Sequence, residues 1–162
     1  MPLRPRFKIP VSVLVVIHDP ALNVLLLERA DRPGLWQSVT GSLDAPDEDL
    51  RDAARREVLE ETGIEAAAQA FHDWCQSTVF EIYEHWRSRY GAGVTHNTEH
   101  AFSLCVPAGT LPRIAPREHL SYLWLPWPEA ARRCFSPSNR EAILRLPDVV
   151  TRSTASACLN RA

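Results

Sequence analysis

The chain has almost no lysine. Of its 18 basic residues only Lys8 is one, and the rest are arginines. That skew can follow genome composition and carries no chemistry by itself. Positive charge is not in excess either. The formal net charge is −2 over 162 residues, which excludes the broad basic field that nucleic acid or an anionic membrane would need. No CxxC pair exists: Cys75, Cys105, Cys134 and Cys158 lie far apart, which argues against a zinc knuckle. In the cytoplasm, where this chain is expected to work, they would be reduced. No apolar run reaches membrane-spanning length. Arg4, Arg6 and Lys8 before Val11–Ile17 imitate a signal peptide, but the run stops at His18-Asp19-Pro20 and no small-residue cleavage site follows. A first β-strand explains it better. Internal repeats are missing too. What remains is an ordinary globular composition, 45% hydrophobic and 23% charged, at a length that suits one domain with a real core.

Periodicity orders the chain. Val11–Ile17 is β-branched and apolar, which predicts a buried strand. Asp19–Asn23 is turn chemistry and Val24–Leu27 returns as the second arm of a hairpin. Asp31-Arg32-Pro33-Gly34 breaks the chain, and Trp36–Thr40 is a short strand ending at Gly41. A helix then begins with Pro46 and Asp47–Asp49 in its first turn, where acids suit the dipole. Leu50, Ala53, Ala54 and Val58 form its apolar stripe, and Gly63 stops it. Strands are expected at Cys75–Tyr83, Ala101–Val106 and Ser121–Leu125, with Glu84–His100 as a polar loop. Helices are expected at Pro128–Cys134 and Ser138–Leu146. The fold class is therefore mixed α/β, one domain over residues 1–150, with 151–162 a flexible tail.

The most informative stretch lies inside the first helix. Glu57, Glu60 and Glu61 fall within about one turn, and positions three and four apart share a face. Such carboxylates repel by roughly a few tenths of a kcal/mol per pair. An oxygen-only cluster suits a hard divalent cation, Mg2+ or alternatively Mn2+. Without their flanks, the same glutamates are better explained as a solvated acidic face.

The flanks change that. Gly41…Glu48-x7-Arg56-Glu57-Val58-x-Glu60-Glu61-x-Gly63-Ile64 resembles the Nudix box, G-x5-E-x7-R-E-U-x-E-E-x-G-U, where U is bulky and apolar. One departure stands out: six residues, not five, separate Gly41 from Glu48, which places one extra residue in the loop before the helix. The resemblance implies an α/β/α sandwich with a mixed sheet and a loop–helix–loop. It also implies Mg2+-dependent hydrolysis of a substituted diphosphate. Glu57 and Glu61 are then metal ligands with Glu60 beside them, and Arg56 orients a carboxylate.

The resemblance reaches further. Segments from Phe7 to Val16, Trp36 to Ser42, Arg89 to His100, Arg117 to Leu120 and Ser136 to Arg140 resemble one Nudix branch, the dihydroneopterin triphosphate diphosphatases of bacterial folate synthesis. The match spans roughly residues 7–146. By that resemblance Glu118 is a further metal ligand, and either it or a box glutamate, Glu57 or Glu60, is the general base. Lys8 and Arg29 contact the triphosphate. Thr40, Phe80, Glu81, Ile82, Tyr83 and Ser136 contact the rest of the substrate, with Glu81 accepting from the pterin edge.

Each of these residues has a plainer explanation. Lys8 and Arg29 could be surface charges, Glu118 an exposed loop acid and Ser136 a helix cap. One of the alternating pairs Phe80/Ile82 and Glu81/Tyr83 could be mere core. The five tryptophans suit core and sheet packing better than a ligand cage. His96 and His100 are four apart but lie in a Gly-flanked stretch, so zinc there is not expected. Three functions stay open: the pterin hydrolase, a nucleoside triphosphate hydrolase that cleans the nucleotide pool, and a non-catalytic Nudix-like sensor. A small triphosphate is the expected partner, and neither nucleic acid nor membrane is expected.

Overall fold

β1 (Val11–His18) is apolar on both faces because it is covered on both. It is the central strand of a mixed sheet in a computed structural model that describes residues 7–159. Arg4 and Arg6 lie outside the described residues, as does the end of the expected tail, residues 160–162. Among the described residues, six further strands join β1 in one sheet. They are β2 (Asn23–Arg29), β3 (Trp36–Gln37), β4 (Val39–Ser42), β5 (Phe71–Glu81), β6 (His96–Cys105) and β7 (His119–Pro126). The order along the sheet is β3-β2-β1-β6-β5, with β4 on β1 and β7 on β2. Among the ladders between the described strands, only β1–β6 is parallel, running from Val11↔Thr98 to His18↔Cys105.

Alternation along β1 splits the core in two. Val13, Val15 and Ile17 pack with Ala53, Ala54 and Val58 of helix α1 (Leu50–Thr62). Leu14 and Val16 pack with Ala130 and Ala131 of α2 (Trp127–Arg133) and with Ala142, Ile143 and Leu146 of α3 (Pro137–Leu159). The result is the expected helix–sheet–helix sandwich. No helix among the described residues is long and apolar enough to cross a membrane. Cys75, Cys105 and Cys134 are free thiols.

Five local expectations need correction. The helix after Gly41 starts at Leu50, so Pro46–Glu48 belong to the preceding loop and not to the first turn. Asp49 is the N-cap because its side chain accepts from the Arg51 and Asp52 amides. Glu48 instead closes the loop by accepting the Asp44 amide at 2.7 Å. That turn absorbs the extra residue. Second, Trp36–Thr40 is not one strand. The Ser38 amide donates to Asn139 Oδ1 at 2.7 Å, which interrupts the ladder between β3 and β4. Third, His96–His100 is strand, not loop. Its polar sequence pairs on both sides, with β1 and with β5, and the two ladders override composition. Fourth, β5 starts at Phe71 and carries a bulge between Asp73 and Ser77, where Cys75 has φ +54°. The last helix also continues past Leu146, through Pro147, to Leu159.

Gly63 ends α1 as expected. Its φ is +68° and its amide donates to the Leu59 carbonyl. At the other end, Asp49→Ala removes the cap. It is expected to lower stability by about 1 kcal/mol, a Tm drop of about 2–4 °C. Asp49→Asn keeps an acceptor and should retain most of the difference in a thermal melt.

Candidate active site

The loop and helix that follow Gly41 converge on one arginine. Arg56 Nε and Nη2 donate to both oxygens of Glu48, at 2.8 and 3.1 Å. Its Nη1 donates to Glu57 Oε1 at 2.8 Å, and Nη2 also reaches the Ser42 carbonyl at 3.1 Å. Asp44 and Glu60 stand at 3.2 and 3.7 Å from the same guanidinium. Arg56 therefore orients a carboxylate, and the loop as well. Gly41 is required by contact: a Cβ there would run into the Glu57 carboxyl.

Glu57 and Glu61 are both buried. Burial, and then Glu61, pushes the Glu57 carboxyl up to about 8, against the pull of Arg56. Burial, and then Glu118, raises Glu61 well above the usual carboxylate range, partly offset by the Thr40 amide. Glu61 Oε2 has no hydrogen-bond donor, and one ligand atom each from Glu61, Glu118 and His119 lie within 4.8 Å of one another. His119 Nε2 is 3.6 Å from Glu61 Oε2. An orphaned carboxylate oxygen among further acids fits a hard divalent cation. Glu61, Glu118 and His119 form the group that could hold such an ion, with Glu57 and Glu60 lining the same cleft. His119 is a member that spacing could not show. The β2–β7 pairing, irregular between Leu27 and Arg29, brings it opposite Arg29.

A cleft of about 490 Å3 opens from this group, a size suited to a small ligand. Lys8, Arg29, Arg89 and Arg117 are among its lining residues. Loss of surrounding water, and then Arg89, lowers the Lys8 pKa. Arg29 is held bidentately by Asp31, with both distances 2.8 Å, and donates to Gln37 at 2.9 Å. Its guanidinium lies 4.5 Å over the Trp86 ring.

The far end is aromatic. Tyr83, Trp86 and Phe135 pack edge to face or tilted at 5.4–6.3 Å. Thr40, Phe80, Ile82, Tyr83 and Ser136 all line the cleft. Glu81 does not. Its side chain pairs with Arg87 and lines the neighbouring pocket along β5 and α3. Trp86, Asn97 and Glu99 line the cleft and escaped the sequence reading. For Asn97 and Glu99 the signal was two-residue alternation in a stretch whose composition reads as loop.

Buried acids under a basic rim, on a loop–helix–loop beside a mixed sheet, suit a divalent cation and a phosphate-bearing ligand. The chain belongs to the Nudix family: a NUDIX domain is matched over residues 8–146. It is 48% identical over 141 residues to the dihydroneopterin triphosphate diphosphatase of Escherichia coli K12, covering 85% of this chain and 91% of that one. The enzyme of the same name from Haemophilus influenzae is 38% identical, with 85% and 87% covered. The solved E. coli dihydroneopterin triphosphate pyrophosphohydrolase superposes with a TM-score of 0.79 at 44% identity, covering 86% of this chain and 95% of that one.

Two expectations follow. Glu57 holds a proton in the folded, metal-free protein up to about pH 8, whereas an unfolded glutamate releases it near 4.3. At this group the native state binds more protons, so its contribution to stability is fully present at low pH and is lost as pH rises through that window. Thermal melts of metal-free protein should show this fall, with Glu57→Gln flattening it and added Mg2+ opposing it most at the alkaline end. Separately, Gly41→Ala should leave Tm nearly unchanged, because the Glu57 side chain can swing aside. Turnover should fall by about 10²-fold through misplacement of that carboxylate.

Proposed function

We propose that this protein hydrolyses 7,8-dihydroneopterin 3′-triphosphate to the monophosphate and pyrophosphate, in the cytoplasm and with Mg2+ as its cation. The observation that carries this is 48% identity to an enzyme of that name over 141 residues, far more than the box alone. The cleft supports it, because a charged end and an aromatic end are continuous.

Glu57 and Glu61, with Glu60 and Glu118 beside them, would hold a divalent cation, which would supply charge neutralisation at the phosphate oxygens. Arg56 keeps the Glu57 carboxylate aimed and restrains the loop. Lys8 and Arg29 steady the triphosphate and offset charge on the departing group. The Glu118 carboxylate, exposed and next to Glu61, takes the proton from the attacking water. Phe80, Ile82, Tyr83 and Ser136 hold the ring end, and Thr40 backs the Glu61 carboxylate. A sensor would not need two buried, mutually repelling carboxylates.

Mg2+-dependent pyrophosphate release, measured with dihydroneopterin triphosphate and each common nucleoside triphosphate, tests the assignment. The pterin substrate is expected to give the highest kcat/KM. A higher value for a nucleotide shifts the assignment to the nucleotide pool, and no product from any substrate rejects an enzyme. Glu57→Gln should lower kcat by on the order of 10²–10³-fold while the chain stays folded. Near-full turnover at saturating Mg2+ would remove Glu57 from the ligand set.

A further inference from the structure

A pterin ring presents a 2-amino-4-oxopyrimidine edge, with an exocyclic amino group and a ring N–H side by side. Both donate, so the edge calls for a buried acceptor. Glu81 is exposed and engaged by Arg87, and it lines only the adjoining pocket, whereas Glu99 of strand β6 lines both that pocket and the cleft.

Seven carboxylates line the cleft. Asp31 is engaged by Arg29, and Asp44, Glu57 and Glu60 surround Arg56. Glu61 and Glu118 belong to the metal group. Glu99 is the seventh. It is 8% exposed and belongs to neither set. The Ser138 hydroxyl donates to its Oε1 at 2.8 Å, and Ser138 in turn bonds the Ser136 hydroxyl at 3.0 Å. A carboxylate offers about four lone-pair sites, so Ser138 leaves room for two more donors. Asn97 lies two residues earlier on the same face of β6. It is 3% exposed, its amide nitrogen donates to Ser12 Oγ at 2.8 Å, and its Oδ1 has no donor. Two buried acceptors with spare capacity thus lie on one strand face, beneath the start of α3. The cleft's aromatic residues Tyr83 and Phe135 stand nearby in its lining. Burial raises the Glu99 pKa, and two N–H donors from a ligand would favour its anion again.

We infer that Glu99, seconded by Asn97, is the specificity-determining acceptor for the amino-pyrimidinone edge of the substrate. The inference rests on the pterin reading above and deepens it. The same pair accepts guanine, which carries the same edge. It disfavours adenine and cytosine, which present a bare ring nitrogen beside their amino group and so set a lone pair against the carboxylate.

The test uses the full-length Mg2+-loaded enzyme. kcat/KM is measured for dihydroneopterin triphosphate, GTP, ITP and ATP, on wild type and on Glu99→Gln. Gln keeps an acceptor for Ser138 but turns an amide N–H toward the ligand's donors. The variant is expected to lose about 10- to 100-fold on the pterin and guanine substrates, chiefly in KM, and to keep its activity on ATP. Equal losses on all four substrates, or none, overturn the inference. The wild type supplies a check that needs no variant. ITP lacks only the 2-amino group of GTP and should be the poorer substrate by about 10-fold or more. Parity of GTP with ITP, or no preference for pterin or guanine over adenine, overturns it as well. A wild type that ignores the pterin substrate but prefers GTP over ATP and ITP, in a Glu99-dependent way, rejects the pterin reading and leaves the role of Glu99 standing.

Discussion

Arg56 holds the loop–helix unit together against its own charge. Its guanidinium bonds Glu48, Glu57 and the Ser42 carbonyl, with Asp44 and Glu60 close by. Removing a carboxylate from water is expensive, and crowding carboxylates adds repulsion. One arginine cannot neutralise that many. The deficit shows at Glu57 and Glu61, whose buried carboxyls hold on to protons in the metal-free chain. The fold thus carries a built-in demand for positive charge at that point, which a divalent cation meets.

The rest of the sandwich serves that point. The α1 stripe of Ala53, Ala54 and Val58 presses the helix onto β1, so its acidic face meets β4 at Gly41. On the opposite side, Asn139 ties the start of α3 to Ser38 by two hydrogen bonds, which keeps Ser136 and Phe135 over the cleft. The parallel β1–β6 ladder joins the two ends. Ser12 pairs with Glu99 on one side and Ser42 on the other, so a single strand spaces the ring end from the phosphate end.

The box was legible because its physics is local. Glutamates at three- and four-residue spacing, a basic neighbour and a stop glycine follow from helix geometry, and the structure keeps all of them. The family match spans residues 8–146, far more than the box. The start of the helix was less legible, since Asp47, Glu48 and Asp49 all suit a first turn. The choice of Asp49 as cap depends on Glu48 being drawn to Arg56, a contact across the loop. Glu81 was the natural acceptor by position in the chain. Its actual neighbour is Arg87, and no periodicity announces that pairing.

The sequence by itself determined the chemistry, because carboxylates one helical turn apart share a face whatever surrounds them. It also determined the two-faced β1 that forces a helix–sheet–helix sandwich. Only the tertiary structure decided which side chains share the cleft. His96–Glu99 looks like loop until two neighbouring strands hydrogen-bond it, and a strand's two faces are indistinguishable until each has a partner. That pairing carries Glu99 and Asn97 inward and leaves Glu81 outside, because side-chain direction in a sheet alternates with register and register is a long-range property.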